Sequence, residues 1–561
     1  MKNCLQCGLP FEITDQDLAF YAEVSPSFNS KKFAVPEPKL CPPCRLQRRL
    51  VWRNERSLYV RKCDLCNTSM LSMYRSGVPF PVYCLDCWWS DKWDPFSYGR
   101  DFDFSRPFFD QWVEFQNTVP HFSLAVLRQT MENSDYCNHA GYLKNCYLLV
   151  NSDYSEQCLF GKGVNRCFDC LDCLKTYDCQ TCYEATNCYN CAFSSYIIDC
   201  HNSSDCHFSS NLIGCKNCFG CVNLRNKEFY FFNERLSAED YKARVADLMT
   251  QKNREEIWGD FLAFRKNHFM KWMQEKNTEN CSGDYLVECK NCQDSYDCEF
   301  LENSRYCSDL KKGEKVSFGN YDISFFGTGV DRSYECSVAG YGANHTLFCE
   351  NVWQSNDIYY SQFCMQNCHD LFACMGLRHQ EFAVFNKKYS KNEYEALCAK
   401  IAAHMQNTGE WGEFFSIRLS SSAYNETVVM DYFPLGREEI EEKGWPYAQE
   451  LPSPLSNLPK ISGDALPTNP TDDILNVAIE CAETGKLFKI QKAELAFYRK
   501  MNLPLPKVHP EQRLLRRLSL KNPRKLWERG CSLCAGAIST TFAPNRPEKV
   551  YCEACYLKSV D

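Results

Sequence analysis

Between Cys137 and Cys221 the chain carries fifteen cysteines, and every interval between neighbours is a multiple of three residues: 9, 12, 9, 3, 3, 6, 3, 6, 3, 9, 6, 9, 3 and 3. Most of these cysteines follow Asn or Asp, as in Asn145-Cys146, Asp169-Cys170 and Asn217-Cys218. A helix cannot use this pattern, because a period of three smears around its circumference. A plain hairpin would alternate every two residues. A β-solenoid accommodates it. Short strands turn at Asn, Asp and Ser, and Cys serves as a small inward-facing hydrophobe that stacks rung on rung. Rungs of 9, 12 or 21 residues fit the spacing about equally well. The competing reading takes Cys167-x-x-Cys170-x-x-Cys173 and Cys215-x-x-Cys218-x-x-Cys221 as soft-metal or cluster ligands, giving the middle of the chain a metal- or redox-handling role.

Comparison of the chain with itself favours the ladder. LRNKEFYFFNERLSAEDY from Leu224 recurs as LRHQEFAVFNKKYSKNEY from Leu377, and Trp258-Gly-Asp-Phe recurs at Trp411 with the same offset. Cys215 and Cys221 then map onto Cys368 and Cys374, but Cys218 maps onto Leu371, so an apolar side chain suffices there. Each copy ends in an amphipathic segment. The first starts at Ser237 as N-cap with Asp240 at the capping-box position, and KNEYEALCAKIAAHM is its counterpart. These helices are expected to cap the solenoids.

A second duplication joins the two ends. FEITDQDLAFY at Phe11–Tyr21 recurs as FKIQKAELAFY at Phe488–Tyr498, and RLQRRL from Arg45 recurs as RLLRRL from Arg513. Both ends carry paired C-x-x-C knuckles, Cys63, Cys66, Cys84 and Cys87 in one and Cys531, Cys534, Cys552 and Cys555 in the other, with identical spacing. Two such knuckles aim four thiolates at one point and close a tetrahedron with no open position, which suits a structural ion. Cys4, Cys7, Cys41 and Cys44 form a third set. Its C-terminal counterpart reads Cys481, Thr484, His509 and Gln512, and is expected to be vestigial. Three structural zincs are therefore expected, with iron the alternative for four thiolates. Each should supply apparent folding free energy on the order of 10 kcal/mol.

CLQCGLPF, LAFY and PKLCPPCR together resemble a zinc-ribbon family of bacterial proteins with the pattern C-x-x-C-G-x-x-F, an F-Y pair and P-x-x-C-x-x-C-R. Cys4, Cys7, Gly8, Phe11, Phe20, Tyr21, Pro38, Cys41, Cys44 and Arg45 match it, with a longer stretch at SPSFNSKKFAV. The whole chain is similar to large Cys-rich zinc-ribbon proteins of uncultured candidate-phyla bacteria. The resemblance implies metal binding and, for the ribbon, a nucleic-acid role. It brings no reaction.

The residues carry a nucleic-acid reading of their own. On a helix, Arg45, Arg48, Arg49 and Arg53 share one face, followed by Arg56, and the second module carries Arg513, Arg516, Arg517, Lys521 and Arg524. The C-terminal module lost half of one metal site yet kept these cations. Phosphate contact, for instance to structured RNA, would explain that retention. Trp52 and Trp527 beside them are expected in the core.

The net charge of −8 argues against a uniformly basic coat. The odd total of 39 cysteines and the lack of a secretory-type N-terminus point to a reduced, cytoplasmic protein. No P-loop, dinucleotide fingerprint or H-E-x-x-H appears, so an enzyme is not expected. The expected fold is mainly β with short helices. Residues 1–95 form a double ribbon module and 96–127 an aromatic connector. Residues 128–275 and 281–430 are two solenoid-like repeats, 431–470 a Pro-rich linker, and 471–561 the second ribbon module. Expected partners are nucleic acid through the arginine faces or, alternatively, a protein on the solenoid flank, with no membrane and an open oligomeric state.

Overall fold

The computed structural model describes residues 1–560. The first repeat is one ladder of eleven strands in chain order, from Met131–Glu132 to Glu234–Arg235. Its strands pair in parallel with Asn138 opposite Val150, Lys162 opposite Leu174 and Ser195 opposite His207, so a rung is twelve residues. Only the last pairing, Tyr230 with Arg235, is antiparallel, and it closes the edge.

The period of three has a backbone origin. From Tyr142 to Phe160 every third residue adopts φ near +50°: Tyr142, Asn145, Leu148, Asn151, Tyr154, Gln157 and Phe160. Each rung thus turns four corners of three residues each. Asn and Asp tolerate this left-handed conformation best, which is why they precede the cysteines. The residue after a corner points inward. Cys146, Cys158, Cys170 and Cys182 occupy successive rungs of one column, and all are buried. The inward side chain also satisfies a carbonyl left over by the corner. The Cys182 thiol donates to the Gln180 carbonyl at 3.5 Å, and the Ser194 hydroxyl, one rung above, donates to the Ala192 carbonyl at 2.8 Å. Cys is used here as a small apolar residue that still donates.

The second repeat is a twelve-stranded sheet from Glu275–Lys276 to Lys387–Lys388 with a less regular register. Gly283 faces Ser295, Ser308 faces Ser324 and Tyr321 faces Tyr334, as residues are inserted at the corners. Its inward positions are Cys, Leu, Ile, Ala and Val, the substitution that Leu371 foreshadows.

The capping helices form as expected. Ser237 accepts from the Asp240 N–H to start the Ala238–Gln251 helix, and Ser390 with Glu393 makes a full capping box for Lys391–Thr408. Tyr241 packs on Phe229, and Tyr394 on Phe382, at the last rungs. The segment read as a connector is core: Phe108, Trp112 and Phe115 are fully buried, and Trp112 stacks on Phe415 at 5.0 Å. The segment read as a tether divides. Ile440 and Ala448 are buried and Asp431 is ion-paired, whereas Leu451–Pro459 runs along the surface apart from strand-forming Lys460–Ser462. Among the described residues no helix is long and apolar enough to cross a membrane.

Candidate metal centres and arginine clamps

The three knuckle pairs are built alike. In the first, the Cys4 N–H donates to Leu9 and the Gly8 N–H returns to Cys4, with Gly8 at φ +74°. Asn67 and Ala535 take the left-handed position in the other two. Each second pair opens a helix, so Cys41, Cys84 and Cys552 present their sulfurs at a helix N-terminus. The N–H of Cys41, Cys84 and Cys552 donates to the sulfur of Cys4, Cys63 and Cys531 at 3.3, 3.2 and 3.3 Å.

Across the knuckles the sulfurs of Cys7 and Cys41 lie 3.7 Å apart, and those of Cys66–Cys84 and Cys534–Cys552 both lie 3.8 Å apart. A tetrahedral ion with metal–sulfur bonds of about 2.3 Å requires sulfurs about 3.8 Å apart. Each set of four therefore fits one closed tetrahedral ion, and all twelve ligating cysteines read from the sequence fall in these three groups. The crowding shows in proton affinity. Hydrogen bonding with Cys44 holds the Cys41 thiol down to about 5, and the same bond pushes Cys44 far above its ordinary range. A cation shared by four thiolates removes that competition.

The vestigial site keeps the fold of a knuckle. Cys481 N–H donates to Lys486, and Gly485 N–H returns to Cys481. His509 Nδ1 accepts from the Glu511 N–H and acts as a helix cap. Among the described residues, no metal-binding group includes the solenoid cysteines. Their S–H groups point at carbonyls.

The arginine faces lie elsewhere than expected. Arg45, Arg48, Arg49 and Arg53 do share a face of the Pro42–Leu50 helix and its continuation, but all four are buried. Arg45 and Arg49 both reach Asp322 at 2.9 Å, and Arg48 bridges Glu335 at 3.1 Å and Glu413 at 3.0 Å. Asp322 and Glu335 are left-handed corners on adjacent rungs of the second repeat. Phe20 stacks on the preceding Tyr321 at 3.9 Å, and Tyr21 lies 5.2 Å from Tyr334.

The C-terminal module repeats this arrangement on the first repeat. Arg513 and Arg517 hold Asp172 at 2.5 and 3.1 Å, and Arg517 also holds Glu184 at 3.0 Å. Asp172 and Glu184 are again corners on adjacent rungs, and Phe497 and Tyr498 pack on Tyr183. Each ribbon module thus grips the repeat farther from it in sequence, using the duplicated Phe-Tyr pair and two arginines four residues apart.

The remaining cations are also committed. Arg53 pairs with Glu55 at 2.9 Å, and Arg56 with Asp431 at 2.6 Å. Lys521 pairs with Asp297, and Arg524 reaches Asp297 and Asp309 at 2.8 and 2.6 Å. Arg516 alone among these ten is exposed, paired with Glu483 at 2.5 Å. The expectation of an exposed phosphate-reading face is corrected accordingly: carboxylates of the same chain occupy the guanidinium groups. Clamping also explains why the C-terminal module kept its arginines after losing a metal site. Trp52 is core, packed on Phe414 and Phe415. The sequence reading missed the acidic partners. Glu184 and Glu335 carried a signal, because a long acidic side chain is unusual at a corner position that favours Asn and Asp.

No protein-family model matches the chain, and no curated protein matches it. Among solved structures, a putative acetyltransferase from Desulfovibrio desulfuricans G20 aligns over 51% of this chain and 82% of its own, at 8% identity and a TM-score of 0.11. A likeness that weak carries no argument about fold or activity. The assignment rests on the molecule itself: a mainly β protein with three groups of four cysteines, each able to hold a metal ion.

Proposed function

We propose that the protein is a zinc-stapled binding scaffold without a catalytic step. The ribbon modules lock two β-solenoids together, and the solenoid flank receives a protein partner. One observation carries this reading. The strongest cationic features of the sequence, the two arginine helices, are spent on intramolecular clamps. A protein of net charge −8 with those arginines buried has little positive field left to draw a polyanion.

Zinc is the ion proposed, because four thiolates in a closed tetrahedron suit a redox-inert metal that stabilises local folds. The test of the scaffold reading is a salt series of the metal-loaded protein against structured RNA and duplex DNA, run beside Arg516→Ala. Absence of salt-sensitive binding at 50 mM salt is the expected result. Binding that falls steeply with salt would return the nucleic-acid reading, and weakening by Arg516→Ala would locate it on the second module.

A further inference from the structure

Between the two solenoids, beside the Cys84–Cys87 knuckle of the N-terminal module, lies an open cleft of about 910 Å³. One wall carries Tyr142 and Tyr154, half exposed and stacked at 4.4 Å. The facing wall carries Tyr341, also half exposed, set edge-on to Trp353 at 6.3 Å. Gln129, Gln354 and Gln366 line the cleft, and none of their side-chain amides has a hydrogen-bond partner among the described residues. Arg378 lies over Trp89 at 5.2 Å and donates to the Trp88 carbonyl at 3.1 Å. Unlike the clamp arginines, it has no carboxylate within ion-pair distance among the described residues, and Asp91 acts on it only from farther away.

These features select among ligands. Free amides and aromatic ridges want a partner with unsatisfied carbonyls and rigid apolar rings. A helix has already satisfied its carbonyls, and the strands that carry Tyr142, Tyr154 and Trp353 are paired on both sides and offer no open edge for strand addition. A polyproline II segment leaves every backbone carbonyl free and arrives already ordered, so little entropy is lost on binding. A guanidinium with no close carboxylate adds a preference for negative charge. The other charges lining the cleft are Asp86 and Arg128, and Arg128 lies 3.7 Å from Asp135, which does not favour a phosphate backbone.

We infer that this cleft binds a proline-rich, extended peptide segment carrying an acidic residue that pairs with Arg378. The inference rests on the scaffold reading above and names its partner chemistry. The test uses the full, metal-loaded chain and a fluorescein-labelled octaproline flanked by glutamates, with a lysine-flanked peptide for comparison, followed by anisotropy. Saturable binding is expected, weakened at least tenfold by Tyr154→Ala or Tyr341→Ala. Arg378→Gln should erase the preference for the glutamate-flanked peptide. Both tyrosines are surface side chains, and metal content verifies that the variants fold. No saturable peptide binding, or equal binding by all variants, overturns the inference. So does binding of oligothymidine or cellohexaose, instead of the peptide, that depends on Tyr154. A negative peptide result with no nucleic-acid binding removes the cleft assignment alone; salt-sensitive nucleic-acid binding removes the scaffold reading beneath it.

Discussion

Replacing Asp322 by Asn should undock the N-terminal module, and replacing Asp172 by Asn should do far less to the C-terminal one. The difference follows from counting charge. Around Asp322 sit the buried Arg45, Arg48 and Arg49, facing Asp322, Glu335 and Glu413, with Lys39 on the exposed side of Glu413. Asp322→Asn leaves a surplus positive charge among buried guanidiniums, and arginine cannot give up its proton. Breaking a buried pair in this way costs about 3–5 kcal/mol. Around Asp172 the balance differs: Arg513 and Arg517 face Asp172, Glu184 and Glu494, one carboxylate too many.

Burial pushes the Glu184 and Glu494 carboxyls above their usual range and does the same to Glu335 beside Asp322, so the contrast between the clusters rests on the count of charges. Asp172→Asn removes the carboxylate in excess and brings that cluster to neutrality. The cost is then confined to lost charge-assisted hydrogen bonds, about 1–3 kcal/mol. The assay is hydrogen exchange read by mass spectrometry on peptides covering 13–24 and 42–56, and 489–500 and 510–520. Exchange in the first pair should accelerate by roughly a hundredfold or more in Asp322→Asn, since each 1.36 kcal/mol is about tenfold. Exchange in the second pair should accelerate less in Asp172→Asn. Equal effects, or a larger effect at Asp172, would refute the charge count.

Three further outcomes are expected. Elemental analysis of the purified chain should give three zincs, and chelation should expose the twelve ligand thiols to Ellman's reagent while the solenoid thiols stay unreactive until denaturation; a fourth tightly held metal would contradict the ladder. Cys182→Ser should lower stability by no more than about 1 kcal/mol, because the hydroxyl keeps the donation to Gln180, whereas Cys182→Leu should cost about 1–3 kcal/mol through overpacking, both checked by urea unfolding. Asp284 is buried on the Gln274 N–H and the Thr541 hydroxyl, and burial lifts its carboxyl to about 7. An acid with a raised folded-state pKa destabilises once it ionises, so Asp284→Asn should raise the melting temperature most above pH 7, with the gap closing as pH falls through about 7 toward 4. A gap that widens on acidification would show the carboxylate to be stabilising.

Much of this molecule was written in its chain. The spacing of the C-x-x-C pairs determined three tetrahedral sulfur sites, because a knuckle is a local turn and needs only its own residues and one hairpin. The period of three determined a solenoid, because a left-handed corner every third residue is a local backbone choice that Asn and Asp advertise. Twelve as the rung length was less legible, since stacking is a contact between rungs and the cysteine intervals are compatible with several multiples of three. The fate of the arginines was not local at all. Arg45 and Asp322 are 277 residues apart in the chain, and nothing within either segment says that they meet. An amphipathic cationic helix looks the same whether its face will meet phosphate or a buried carboxylate. Only the tertiary structure, by setting a corner aspartate of one duplicated unit against the helix of another, decided that these charges hold the protein together.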